Sequence, residues 1–140
     1  MKILNLLIAL LFTNGMLLAQ PSPKVCVDGP QFKWEKTVYE FGEIAQAVPA
    51  TAEYKFTNIG NQPIIITQVK KTCGCTVPTW PSTPIMPGEQ AVIKATYNAK
   101  SMGSFTKTIT VVSNVSENST YLQLKGTVVP AEINTQSNGS

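Results

Sequence analysis

Apolar and polar residues alternate singly along most of this chain, and a period of two predicts β-strands. The clearest case is Thr51 to Asn58. Ala52, Tyr54 and Phe56 fall on one face, with Glu53, Lys55 and Thr57 on the other. Such a segment is an antiparallel strand half buried against a core. Gln90 to Tyr97 repeats the pattern through Ala91, Ile93, Ala95 and Tyr97. Tyr121 to Val129 does so through Leu122, Leu124 and Val128, and its Gly126 is small enough for close packing. Phe105 to Ser113 is rich in β formers, although Lys107 breaks its inward face and puts that end at an edge. Phe32 to Ile44 reads as two short strands kinked at Lys36-Thr37, with Gly42 at a bulge or bend. Ile64 to Thr72 is apolar on both faces at its start, which predicts a central strand covered on both sides.

Turn chemistry separates these segments. Asn58 to Pro63 carries glycine and asparagine, which tolerate positive φ. Pro87-Gly88 predicts a tight turn, and Pro78, Pro81, Pro84 and Pro87 argue against regular structure between Val77 and Gly88. No stretch has helical period. About seven short strands at this spacing indicate an all-β domain in which two antiparallel sheets face each other.

The beginning of the chain follows a different rule. Met1-Lys2 and the apolar run to Leu18, then Ala19, read as a secretory signal peptide over residues 1–19. The run is too short and too interrupted, by Thr13-Asn14-Gly15, for a spanning helix. Residues 20–31 form an extended leader, 32–129 the β domain and 130–140 a polar tail. The mature protein is therefore expected outside the cytoplasm, in the periplasm or at the cell surface, with no membrane span.

Composition narrows the chemistry. The chain has no histidine, so neither a Ser-His-Asp nor a Cys-His nucleophile can be built from it. It has no arginine, and its eleven lysines are scattered, which disfavours nucleic acid as a partner. Glu40, Glu43, Glu53 and Glu89 are spread over surface positions and form no evident acid pair. No phosphate-cradling glycine loop is present. These exclusions point to a non-enzymatic protein without a cofactor.

Six motifs occur in order: Phe41-Gly42-Glu43-Ile44, Phe56-Thr57-Asn58-Ile59-Gly60, Thr72-Cys73-Gly74-Cys75-Thr76, Pro87-Gly88-Glu89, Ser113-Asn114 and Leu124-Lys125-Gly126. Together they resemble a bacterial family known as domain of unknown function 1573. The resemblance spans Phe32 to Val129. It implies an exported protein with an immunoglobulin-like antiparallel β-sandwich, similar in architecture to major-sperm-protein-like and centrosomal modules that bind other proteins. A protein is accordingly the expected partner. Cys26 lies outside the family's pattern.

Cys73-Gly74-Cys75 is the stretch where chemistry is most concentrated. As small buried residues the cysteines could be purely structural, with Cys26 bridged to Cys73 or Cys75. A bridge between Cys73 and Cys75 would close a very small, strained ring, and the sequence alone neither chooses among these pairings nor excludes three free thiols. Beside Lys70 and Lys71 the two thiols could instead serve thiol redox chemistry. They could also bind Cu(I), with a thioether from Met86 or Met102. Trp80, held between Thr79 and Pro81, is either a binding anchor or a lid over the core.

Overall fold

The computed structural model describes residues 28–115 and 119–131. The expected signal peptide, Cys26 and most of the tail lie outside the described residues. Eight strands follow in order: β1 (Phe32–Trp34), β2 (Val38–Ala45), β3 (Ala50–Asn58), β4 (Ile66–Lys71), β5 (Thr76–Thr79), β6 (Gln90–Tyr97), β7 (Gly103–Ser113) and β8 (Thr120–Val129). They form two packed four-stranded sheets, ordered β1-β3-β6-β5 and β2-β8-β7-β4. There is no helix among the described residues.

Alternation places the core as the sequence predicts. Ala52, Tyr54 and Phe56 of β3 and Ile93, Ala95 and Tyr97 of β6 are buried from one side. Ile109 and Val111 of β7 and Leu122, Leu124 and Val128 of β8 meet them from the other. Tyr97 and Phe105, from opposite sheets, stack with ring centroids 4.2 Å apart. Tyr54 crosses the core, and its phenol donates to the Gln123 carbonyl at 2.7 Å. Burial holds its ionisation well above the usual tyrosine range.

The first strand is split. β1 pairs antiparallel with β3, and the chain then crosses at Glu35–Thr37 so that β2 pairs with β8. The predicted kink is thus a change of sheet. The β2–β8 pairing is parallel, which corrects the expectation of a wholly antiparallel sandwich. Its register shifts between Glu40 and Glu43, the bulge expected at Gly42. Gly126 lies opposite: a Cβ there would stand 2.9 Å from the Gly42 carbonyl and 3.0 Å from the Phe105 ring.

Two further expectations change. β4 is an edge strand, and Ile65 is exposed. The register slips between Ile66 and Gln68, so the inward face passes from Ile64 and Ile66 to Val69, and among the described residues the apolar run has no second cover. The eighth strand is β5, which includes Pro78. It is tolerated because β5 is also an edge, where one side of the backbone needs no ladder partner. Lys107 sits where, among the described residues, β7 pairs with β8 alone, since β4 pairs no further than Ile109.

The sandwich has two ends of different construction. At one end Asn58, fully buried, ties three loops together. Its Oδ1 accepts from the Gly60 amide at 3.0 Å and the Gln31 amide at 3.4 Å, and its Nδ2 donates to the Gln62 and Ile85 carbonyls at 2.8 and 2.9 Å. Its backbone bonds Gly88 and Glu89. Glu89 in turn accepts from the Met86 amide and closes the Pro87-Gly88 turn. Asn114 holds the same β3–β4 loop from the other sheet, through the Ile65 amide and the Pro63 carbonyl. Gly60 lies so close to the Gly29 carbonyl that no side chain fits.

Candidate functional site

The opposite end carries the cysteines. β4 ends at the edge of one sheet and β5 begins at the edge of the other, so residues 72–75 are the bridge between them. Two backbone hydrogen bonds anchor the bridge. The Thr72 amide donates to the Thr108 carbonyl at 3.3 Å, and the Asn98 amide to the Cys75 carbonyl at 3.0 Å.

Cys73 and Cys75 are joined to each other as a disulfide, with Cα atoms 5.3 Å apart. That separation lies in the range a disulfide spans, because the turn at Gly74 folds the chain back. This local bridge is one of the pairings the sequence leaves open; Cys26, the other candidate partner, lies outside the described residues. The cross-link encloses one turn and connects no two strands, so loop-closure entropy gives it about 2 kcal/mol at most.

Thr76 completes the site. It is 1% exposed, and its Oγ1 lies 3.9 Å from Cys73 Sγ and 4.0 Å from Cys75 Sγ. Those sulfurs are the only hydrogen-bonding neighbours of its hydroxyl among the described residues. Both cysteines are half-buried; Cys75 packs against the core and Cys73 does not. Gly74 is exposed, and a Cβ built on it meets nothing within 4 Å. Lys70 and Lys71 are exposed on β4 just ahead of the turn.

The neighbouring loops are linked to this turn and carry backbone strain. Ala47 and Ala99 are the non-glycine residues with positive φ, 60° and 51°, among the described residues. The Ala47 amide donates to the Ala99 carbonyl at 2.9 Å, and Ala99 directly follows Asn98, which holds Cys75. A left-handed alanine costs about 1 kcal/mol or more, and the fold holds two of them here.

Trp80 is not part of this cluster. It follows β5 at the far end from Cys75, roughly 17 Å along an extended chain, and packs half-buried against the core. Met86 belongs to the Asn58 end, next to Ile85, which pairs with Ile64. Met102 is exposed ahead of β7, whose first residue lies roughly 17 Å from Thr108 along the strand. No group of three or more cysteine, aspartate or glutamate side chains suited to a metal ion occurs among the described residues. Glu40, Glu43 and Lys125 line a groove of about 340 Å³ at the β2 bulge, and it is open to solvent.

Sequence reading missed Thr76. The proline spacing hides β5, and without β5 the inward direction of Thr76 cannot be assigned. The signal available was Thr76-Val77-Pro78-Thr79 read as an edge strand, where proline is allowed.

The sequence matches the family described as protein of unknown function (DUF1573) over residues 32–128, a span that contains all six motifs. No curated protein matches. Among solved structures, a Porphyromonas gingivalis W83 protein of unknown function is similar at TM-score 0.62 and 15% identity, over 71% of this chain and 47% of that one. The seventh PapD-like domain of human CEP192, described as an ASH / PapD-like domain, is similar at TM-score 0.62 and 10% identity, over 86% of this chain and 97% of that one. The Vibrio cholerae VesB protease is similar at TM-score 0.58 and 9% identity, over 70% of this chain and 32% of that one. The chain thus spans about half of the first of these proteins and a third of the last. At such identities the likeness is one of fold.

Proposed function

The chain belongs to the DUF1573 family, and from that premise we propose that it is an exported, non-enzymatic immunoglobulin-like module that engages another protein with the end bearing Cys73 and Cys75. The strand orders support the immunoglobulin-like reading. β1-β3-β6-β5 and β8-β7-β4 correspond to the ABED and GFC sheets of such domains, with β2 as a displaced part of the first strand. CEP192 matches as one nearly complete domain, which suits a module, whereas VesB matches over a minor part of its length. The signal-like start over residues 1–19 supports export.

One observation carries the choice of surface. At the β4–β5 bridge two edge strands lie side by side, each with a single pairing partner among the described residues, and exposed Val77 adjoins the disulfide turn. Pro78 and Lys70-Lys71 guard those edges against random strand pairing, so recognition falls to the turn and its side chains. The test is capture of partners from the envelope of the encoding cell by the immobilised chain. Val77→Asp is expected to lower retention about tenfold, and Ile65→Ser at the other end to leave it unchanged. Recovery of no protein at native abundance would sink the reading.

A further inference from the structure

We propose that the Cys73–Cys75 disulfide is an exchange site that accepts electrons from a reduced protein dithiol, an activity beyond the binding role above. Four features of the turn converge on it. The disulfide joins residues two apart within a turn that backbone hydrogen bonds from Thr72 and Asn98 already hold, so the fold does not depend on it. The turn is uncovered, since nothing stands within 4 Å of a Cβ at Gly74. Gly74 has neither a crowded neighbour nor a positive φ to require a glycine. A glycine unexplained by the closed ring is explained by the ring's opening, which needs a backbone free to change shape. Finally, the buried Thr76 hydroxyl lies 3.9 and 4.0 Å from the two sulfurs and has no oxygen or nitrogen partner among the described residues.

The two sulfurs have different roles. Both are half-buried, but only Cys75 packs against the core, so Cys73 is assigned the first attack and Cys75 the leaving position. A substrate thiolate attacks Cys73 Sγ, the Cys73–Cys75 bond breaks, and its electron pair leaves on Cys75 Sγ, to which the Thr76 hydroxyl donates. The substrate's second thiol, deprotonated, then attacks its own sulfur in the mixed disulfide and displaces Cys73 as thiolate. Each cysteine takes up one proton. The substrate leaves as a disulfide with two electrons fewer, and the chain holds two thiols. One such transfer per molecule is stoichiometric. Repetition requires a disulfide-bearing partner protein to restore the bond.

A reduced two-cysteine peptide is the probe, mixed with the purified chain in a Cys26→Ser background and followed by mass spectrometry of alkylated samples. The chain is expected to convert one equivalent of peptide to its disulfide. With the same peptide supplied in its disulfide form, Cys75→Ser is expected to accumulate the peptide bonded to Cys73, because the Cys73 thiolate opens the peptide disulfide and no Cys75 is there to displace it, and Cys73→Ser is expected to trap none. Thr76→Val, which keeps shape but loses the hydroxyl, is expected to slow transfer about tenfold with the disulfide still formed. Circular dichroism shows that each variant is folded. A folded parent chain that leaves the peptide reduced overturns the proposal, whatever the variants do. Trapping by Cys73→Ser instead overturns the assigned order of attack, and an unchanged rate in Thr76→Val overturns the role of the hydroxyl.

Discussion

The two ends of this sandwich solve the same problem with different materials. At the Asn58 end, loops from both sheets are tied by directional hydrogen bonds: those of the buried Asn58 contribute about 1 kcal/mol each and are costly to orphan, and the exposed Asn114 adds two more. At the cysteine end a covalent bond lies within one exposed turn, and two alanines sit in left-handed conformations beside it. Glycines show the same contrast. Gly60 is demanded by its contact with Gly29, whereas Gly74 has empty space around it. The lesson is that a motif's prominence in sequence does not indicate its role. Phe56 to Gly60, Pro87 to Glu89 and Ser113-Asn114 stand out as motifs as much as the cysteines do, yet they build a latch.

Substitutions can break or sharpen this contrast. Asn58→Ala strips four side-chain hydrogen bonds from buried or half-buried partners and is expected to cost about 3 kcal/mol, read as a lower urea midpoint. Gly60→Ala forces the Gly29–Gln31 segment away and is expected to cost about 2–3 kcal/mol in the same experiment. Cys73→Ser with Cys75→Ser removes the small ring and is expected to cost no more than about 2 kcal/mol. Gly74→Ala is expected to stay within about 0.5 kcal/mol of the parent, since the new methyl group meets nothing. If the double serine variant lost more than Asn58→Ala, the two ends would have to exchange descriptions.

Much of the fold could be read in advance, for a definite reason. In β3, β6 and β8 one face is buried and the other is wet, so composition alternates and fixes which residues point inward. The reading failed where that coupling lapses. The register slip after Ile66 moves β4 from one inward set to the other, and three consecutive isoleucines conceal it. Pro78 hides an edge strand. At the candidate site, Cys73 and Cys75 were evident, but their mutual pairing was one option among several. Thr76 was not evident, because its direction depends on β5. The roles of Asn58 and Asn114 depend on partners up to 51 positions away in sequence, which local pattern cannot supply.

The parallel pairing of β2 with β8 has a consequence for how the molecule comes into being. β8 lies in the interior of its sheet, flanked by β2 on one side and β7 on the other. While the polypeptide is being synthesised, β2 must therefore wait for a neighbour that emerges some eighty positions later. Until then β2 lacks its neighbour, and the inward residues Leu122, Leu124 and Val128 are missing from the core. Such distant pairing slows folding and prolongs the exposure of sticky intermediates, so the second sheet is completed only when the last strand joins it.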